Sequence, residues 1–279
     1  MTYWICVTCG TQFAESTQPP EGCPICLDQR QYVGHNGQQW TTLAAMAEQN
    51  FHSEVQEHKP DLLGIGTQPT FAIGQRALLV RTPQGNILWD CVSYIDQPTI
   101  KEIERLGGIT AIAISHPHFY SSMVQWAEHF DARIYLHAAD QQWVMRPDPR
   151  IVFWSGETLS LLDEQVTLIR LGGHFTGGTV LYWPSGAQGQ GALLTGDIIQ
   201  VVADHNWVSF MYSYPNLIPL PASEVARIRD AIAPYHYTHL YGGWFDRLVS
   251  AHADEVVQRS ADRYISALTG DLRKVISTR

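Results

Sequence analysis

The sequence lacks the features that would place it in a membrane or on nucleic acid. No apolar run among its 279 residues is long enough to span a bilayer, and no charged and then apolar leader follows Met1. Lysine and arginine together number 18 against 27 acidic residues, so the formal net charge is -9. We therefore expect a cytoplasmic protein that binds neither membranes nor nucleic acid.

Cysteine is scarce, and four of the five cysteines fall near the start of the chain. Cys6 and Cys9 form one Cys-x-x-Cys pair, and Cys23 and Cys26 form another. Each pair can present two thiolates to one tetrahedral metal ion. Disulfides would need an oxidising compartment, which nothing in the sequence indicates. The fifth cysteine, Cys91, lies in an apolar run and is predicted to be a buried thiol.

The residues around these cysteine pairs leave the metal open between zinc and iron. Trp4, Gly10 and Pro24 make the segment similar to a rubredoxin-like domain as much as to a zinc ribbon. Zinc would be structural, whereas iron would imply electron transfer. Because about 35 residues bury too little apolar surface to fold alone, we predict that the metal stabilises a domain over residues 1–36.

A histidine pair lies where a predicted strand meets a predicted helix. Residues 109–114 read as a buried strand, and residues 121–130 carry apolar side chains at helical spacing. His116 and His118 fall in the tight loop between them, which Pro117 stiffens. Taken alone, such a pair is more often two polar loop residues than a ligand site. Its position at the carboxyl end of a strand favours a ligand site.

One more histidine and a carboxylate follow two further strand-like runs. His174 stands in a Gly-Gly-His sequence after residues 166–171, and Asp197 stands in a Thr-Gly-Asp sequence after residues 192–195. Three histidines and one carboxylate supply the nitrogen and oxygen donors of a zinc or iron site. The sequence therefore predicts a second metal site, with one zinc or iron ion.

The order of these motifs resembles the metallo-β-lactamase fold superfamily, which includes glyoxalase II, lactonases and flavodiiron proteins. The resemblance covers residues 62–245 and begins with a hairpin whose second strand ends in Asp90. It implies an α/β fold, the four-layer αββα sandwich, over residues 61–279. Residues 37–60 would then form a connecting helix or linker.

The resemblance also assigns roles to the site residues. Four of them match the ligands of the first metal and the carboxylate that bridges two metals: His116, His118, His174 and Asp197. Where the family has the aspartate and histidine of the second metal, this chain has Tyr120 and Ser121. The family's late Gly-His-Gly matches residues 240–244, which hold no histidine. We therefore predict a single metal ion at this site.

Other side chains around the motifs have weaker assignments. His205, His236 and His239 could replace missing ligands, and His239 is the best substitute among them, although each reads more simply as a loop or strand-edge residue. Ser121 is predicted to cap the helix that follows it. Tyr120, a poor zinc ligand near its usual pKa of about 10, is predicted to donate a hydrogen bond to an oxyanion.

These residues predict a hydrolase that acts on a small ester, thioester or lactone. Zinc held by three histidines can lower the pKa of water to about 7 and polarise a carbonyl. Asp197 is expected to take over part of the proton-accepting role of the missing aspartate. The alternative is a catalytically inactive, redox or ligand-binding protein in which the four-cysteine centre is the main metal site.

Remaining patterns concern packing. The aromatic residues 207–215 read as a pocket wall, as core packing or as the subunit interface of a homodimer. Thr99 opens a capping-box pattern, Ser223 is predicted to cap a later helix, and residues 253–268 show one apolar face of a last helix.

Overall fold

The computed structural model describes residues 1–271 of the chain. The chain divides into two compact units, Met1–Ser155 and Gly156–Arg279. Residues 272–279, the end of the predicted domain 61–279, lie outside the described residues. In the described part, no helix has both the length and the apolar character needed to cross a membrane. The predicted domain boundaries at residues 36 and 60 stay predictions.

The first unit opens with short elements around the cysteines. These elements are β1 (Ile5–Cys6), α1 (Pro24–Leu27), β2 (Trp40–Thr41) and α2 (Leu43–Glu48). Strands β1 and β2 pair antiparallel, with Cys6 opposite Trp40. Helix α2 begins after Thr42, whose hydroxyl oxygen accepts a hydrogen bond from the amide of Ala45 at 3.1 Å. The segment up to Thr41 therefore belongs to the structure that surrounds the cysteines.

A seven-stranded sheet forms the body of the first unit. In chain order, which is also the spatial order, its strands are β3 (His52–Lys59), β4 (Leu62–Gln68), β5 (Ala77–Thr82), β6 (Gly85–Trp89), β7 (Ala111–Ala113), β8 (Arg133–His137) and β9 (Ile151–Trp154). Strands β3 to β6 pair antiparallel, and β6 to β9 pair parallel. The predicted hairpin that ends at Asp90 is confirmed as β5 and β6.

Strand β3 corrects one prediction. Its polar residues were expected in a linker, and that expectation is wrong because they form an eight-residue edge strand paired with β4. An edge strand pairs on one side only, so it tolerates charged and amide side chains. These side chains remove the alternation of polar and apolar residues by which a strand is predicted from sequence.

Two helices of this unit lie close to the predicted positions. They are α3 (Gln97–Arg105) and α4 (Met123–Phe130), and two 3-10 turns cover Pro117–Phe119 and Ala138–Trp143. The start of α3 at Thr99 is wrong. Asp96 is the cap, with one carboxylate oxygen accepting from the Thr99 amide at 3.0 Å and the other from the Ser53 amide at 2.8 Å. Because Asp96 ties two distant segments together, a local pattern could not reveal it.

The second unit contains the remaining strands and helices. In chain order they are β10 (Thr158–Leu161), β11 (Val166–Arg170), β12 (Thr179–Trp183), α5 (Gly186–Gly189), β13 (Ala192–Gly196), β14 (Gln200–Val201), β15 (Val208–Ser209), β16 (Met211–Ser213), β17 (Ile218–Pro219), α6 (Ala222–Ile232), β18 (His239–Gly242), β19 (Leu248–Val249) and α7 (Ala253–Leu268). Its main sheet has the order β10-β11-β12-β13-β18-β19, with β13 and β18 parallel.

Helices α6 and α7 supply much of the core of this unit. Val225 and Ile228 from α6 and Val257 from α7 are buried in one cluster with Ile169 and Leu193 of the sheet. The last helix is confirmed over its predicted range. Ser223 does not cap α6, because the helix begins one residue earlier, after Pro221. The predicted mixed α/β class is confirmed.

Replacing Asp96 with alanine should remove the capping hydrogen bond from Thr99 and the hydrogen bond from Ser53. We expect the free energy of unfolding to fall by about 1 to 2 kcal/mol. Urea denaturation measures this change, with Glu104→Ala as the control because Glu104 is exposed on the same helix. Equal losses in the two variants would contradict the assigned cap.

Candidate functional site

The loop after β7 holds the histidine pair in a 3-10 turn. The turn covers Pro117–Phe119, and Pro117 suits its first position because proline has no amide hydrogen to leave unpaired. His116 and His118 are buried, at 1% and 3% exposed. Their ring centroids lie 5.1 Å apart at an interplanar angle of 75°. The predicted placement of both histidines between a strand and a helix is confirmed.

Asp90 and Ser115 hold this loop from the side of the sheet. The Ser115 amide donates to Oδ1 of Asp90 at 2.8 Å, and the Ser115 hydroxyl lies 2.9 Å from Nδ1 of His116. Burial raises the pKa of Asp90 to about 7, although the hydrogen bonds from Ser115 oppose the rise. A histidine whose Nδ1 is engaged by a neighbour presents Nε2 to a ligand.

His174 is held by a backbone carbonyl. It follows Gly173, whose φ of 78° is in the left-handed region and whose position leaves no room for a Cβ beside Leu220. Nδ1 of His174 lies 3.0 Å from the carbonyl oxygen of Met211. Since a carbonyl only accepts, Nδ1 carries the hydrogen, and the lone pair of the neutral ring is on Nε2.

Asp197 follows β13 and lies beside His174. Its Oδ1 is 4.0 Å from Nε2 of His174, and its carboxyl group is buried. The hydroxyl of Tyr214 donates to the backbone carbonyl of Asp197 at 2.9 Å. Burial, and then the charge of Asp197, raises the pKa of Tyr214 well above its usual value. Met211 and Tyr214 lie in the aromatic run 207–215, and the sequence pattern of that run does not predict these contacts.

Four of the predicted ligands form one compact group. His116, His118, His174 and Asp197 each offer a ligand atom, and these atoms all lie within 4.8 Å of one another. All four side chains are buried. Three imidazole nitrogens and one carboxylate oxygen are donors that zinc and iron accept. The residues therefore fit one metal ion.

Tyr120 is buried next to this loop. It is 2% exposed, and burial together with the nearby Asp140 raises the pKa of its phenol well above the usual value. The phenol therefore keeps its proton at neutral pH, which makes it a poor metal ligand but a competent hydrogen-bond donor. The predicted catalytic role of Tyr120 stays a prediction.

Ser121 does not cap the following helix, so that prediction is wrong. The cap residue of α4 is Ser122. The hydroxyl of Ser121 accepts from the Gln75 side-chain amide at 2.9 Å and donates to the Cys91 carbonyl at 3.2 Å. With both bonds made inside the core, the hydroxyl is not available to the helix. Cys91 is a buried thiol, as predicted.

The three other candidate histidines lie outside this group. His205 and His236 are exposed, and His236 pairs with Asp254 at 2.9 Å. His239 opens β18 opposite Ala192, the first residue of β13, so it lies at the other end of the strands from Asp197. At the end near Asp197, the Gly243 amide donates to the Gly196 carbonyl at 2.9 Å.

The four cysteines form a second compact group, as predicted. Their sulfurs lie within 4.8 Å of one another, all four are buried and none is in a disulfide. Sγ of Cys6 is 3.5 Å from Sγ of Cys26, and Sγ of Cys9 is 3.6 Å from Sγ of Cys23. Four thiolates suit a tetrahedral zinc or iron ion.

Gln38 supports this cysteine group from a segment that sequence analysis assigned to the linker. Its side-chain amide donates to Sγ of Cys6 at 3.2 Å, and its carbonyl oxygen accepts from the Cys23 amide at 3.2 Å. Hydrogen bonds from Cys23, Cys26 and Cys9 lower the pKa of the Cys6 thiol well below its ordinary value. One thiolate is therefore already favoured, and a cation would displace the remaining protons.

Comparison with known proteins gives one close relative. No family model matches the sequence. The chain is 54% identical over 273 residues to the uncharacterized protein YmaE of Bacillus subtilis (strain 168), and the match covers 98% of this chain and 99% of YmaE.

Solved structures share the fold at low sequence identity. The DIM-1 metallo-β-lactamase has a TM-score of 0.57 at 12% identity, covering 76% of this chain and 97% of its own. The metallo-β-lactamase FIM-1 from Pseudomonas aeruginosa, in its mono-zinc form, has a TM-score of 0.56 at 15% identity, covering 76% and 96%. These likenesses confirm the metallo-β-lactamase fold.

The raised pKa of Asp90 predicts a pH-dependent stability. Between pH 4 and 7 the folded carboxyl stays protonated while the unfolded one ionises, so stability from this group is lost as pH rises, by about 1.4 kcal/mol per unit. Asp90→Asn keeps an acceptor for Ser115 without a titrating group. Urea unfolding of metal-free protein should therefore show the wild type losing stability relative to Asp90→Asn from pH 5 to 8.

Asp131→Asn is the matched control for this comparison. Asp131 also has a positive φ, of 50°, but its side chain is 98% exposed. Its substitution should leave the pH dependence of the wild type unchanged. A constant difference between wild type and Asp90→Asn across the range would contradict the assigned titration.

Proposed function

The chain belongs to the same family as the Bacillus subtilis protein YmaE, and from its fold and its site we propose that it is a metal-dependent hydrolase. The observation that carries the proposal is the buried group of three histidines and Asp197 within the metallo-β-lactamase fold. A bound zinc ion would lower the pKa of a water molecule and polarise a carbonyl group. The histidines would bind that ion, and Asp197 would accept the proton of the water.

Two of the histidines are oriented for binding by their neighbours. Ser115 engages Nδ1 of His116, and the Met211 carbonyl engages Nδ1 of His174. Both partners fix the ring orientation, and the Met211 carbonyl also fixes the tautomer of His174, so the Nε2 lone pair of His174 is directed without further rearrangement. We propose that His118 completes the set of three nitrogen ligands.

Asp197 and Tyr120 are proposed to manage the proton and the developing negative charge. Asp197 would ligate the ion or accept the proton of the attacking water from beside it. Tyr120, whose raised pKa keeps its hydroxyl protonated, would donate a hydrogen bond to the oxyanion of the reacting carbonyl. The substrate class we propose is a small ester, thioester or lactone. The Tyr214 ring, whose centroid lies 5.8 Å from that of His174, supports an apolar or aromatic substrate.

A single ion is the proposed stoichiometry of the histidine site. Tyr120 and Ser121 replace ligands of the second metal that the family resemblance implies, and Gly243 stands at the strand end where a further histidine is expected. One relative in fold, FIM-1, has a structure in a mono-zinc form. The proposed functional unit needs no second ion.

Replacing His118 with alanine should remove the metal from this site and its activity. Elemental analysis is expected to show one metal equivalent fewer than in wild type, and hydrolysis of an activated aryl ester should fall at least about a hundredfold. His239→Ala is the control, since His239 lies outside the ligand group. Ester hydrolysis that survives in His118→Ala would overturn the proposed function.

Tyr120→Phe separates the oxyanion role from metal binding. We expect the metal content of wild type, with kcat lowered on the order of a hundredfold to a thousandfold. An unchanged kcat would remove Tyr120 from the catalytic set while leaving the metal site intact.

The four buried cysteines raise a second candidate function, a redox or ligand-binding role centred on their metal, and a redox role would require iron there. We propose structural zinc instead, so the aerobically or anaerobically purified protein should be colourless, with zinc bound at the cysteines in His118→Ala as well. A red, rubredoxin-like absorption spectrum would instead support iron and electron transfer.

A further inference from the structure

The cysteine module, residues 1–41, contacts the histidine loop, residues 115–122, through the backbone. The amide of Gln12 donates to the carbonyl oxygen of Ser121 at 2.9 Å. Ser121 adopts a φ of 46° and is buried. It stands three positions after His118, so the bond is made at the end of the turn that carries the ligand pair. The module therefore holds one end of the histidine loop.

Arg146 joins the same module to the helix that follows the loop. Its guanidinium donates to the side-chain oxygen of Gln12 at 2.6 Å and to the carboxylate of Glu128, in α4, at 2.5 Å. The guanidinium also stacks 3.8 Å from the centre of the Tyr3 ring. Arg146 is only 6% exposed. Removing one partner from a buried charge lowers the stability of the fold. Through Arg146, the position of Gln12 therefore affects the position of Glu128 and of α4.

A third set of contacts begins beside the cysteines themselves. Gly10 directly follows Cys9, and its carbonyl accepts a hydrogen bond from the Ser93 hydroxyl at 2.8 Å. The Ser93 carbonyl accepts in turn from the hydroxyl of Ser122, the cap residue of α4, at 2.7 Å. A Cβ on Gly10 would lie 2.4 Å from the Ser93 hydroxyl oxygen, so only glycine allows this approach.

The order of the cysteine module depends on its metal. Its buried apolar cluster consists mainly of the four cysteines with Phe13 and Ile25. Such a small core stabilises little on its own, and metal binding supplies the remaining free energy of folding. We therefore expect loss of this metal to disorder the segment from Gly10 to Gln12, which makes the contacts to Ser93, Ser121 and Arg146.

We propose that the cysteine module is the support of the histidine loop, so that metal binding by the cysteines raises the metal affinity of His116 and His118. Ser121, which the family resemblance matches to a ligand of a second metal, is here the point where the module binds. Coupling between two binding sites is reciprocal, so metal at the histidines also stabilises the module. This inference deepens the proposed function and shares with it only the metal at the histidine site.

Cobalt(II) titration of full-length protein measures both sites. Thiolate ligands give charge-transfer absorption that imidazole and carboxylate ligands do not, so filling of the cysteines is seen separately. Competition with a chelator then gives the affinity of the histidine site. We expect Arg146→Ala to keep the thiolate absorption but to weaken the histidine site about 5- to 150-fold, the usual size of the coupling between two binding sites. Cys23→Ser keeps three thiolates, so its thiolate absorption should be weaker and should need more cobalt, and its histidine site should be weakened to a similar extent.

Two further variants make the comparison specific. Arg105→Ala is the matched control, because Arg105 forms a surface ion pair with Glu102, and it should behave as wild type. If Arg146→Ala fails to fold, Gln12→Ala removes the same hydrogen bond and leaves the pair between Arg146 and Glu128 in place. Its histidine site should be weakened in the same direction.

Amide hydrogen exchange separates failure of this inference from failure of the proposed function. Residues 115–122 should exchange faster in Cys23→Ser and in Arg146→Ala than in wild type whose cysteines hold zinc. Equal exchange and equal histidine-site affinity in these proteins would overturn the coupling. If wild type holds no metal at the histidines, the proposed function fails, and the exchange rates alone then decide whether the module supports the loop.

Discussion

Burial of ionisable donors is the constraint on which the rest of the structure depends. Two groups of ligand atoms, four sulfurs and three imidazoles with a carboxylate, lie out of contact with water. Crowding such groups together is unfavourable unless each lone pair or charge is balanced by a hydrogen bond or a cation. Residues next to the ligands supply hydrogen bonds: Ser115, Met211 and Gln38 each contact a ligand residue directly. A cation would supply the remaining balance, so the donor atoms of both groups support metal binding.

The positions of the site residues could be predicted because they follow local rules. His116 and His118 are two residues apart at the end of a buried strand, and His174 and Asp197 also follow strands, so periodicity and motif order were sufficient. The cysteine pairs needed only their spacing. In each case the informative signal lies within a few residues of the side chain concerned.

What could not be predicted depends on contacts between distant parts of the chain. Asp96 caps a helix while it also binds the amide of Ser53, and Ser121 uses its hydroxyl on Gln75 and Cys91. No pattern in one window of sequence records such pairs. Strand β3 was missed for a related reason, since an edge strand is defined by the strand that it joins rather than by its own composition.

Several of the contacts that orient the ligands come from backbone atoms. The Met211 carbonyl fixes the tautomer of His174, and the Gln12 amide and Ser121 carbonyl join the cysteine module to the histidine loop. Alanine at these positions would leave the backbone bonds in place, so an alanine scan would report only the side-chain contacts of Gln12 and Ser121. Proline at position 12, which has no amide hydrogen, is the kind of change that would expose the bond. Comparison of side chains alone therefore does not detect the backbone hydrogen bonds that position the proposed metal ligands.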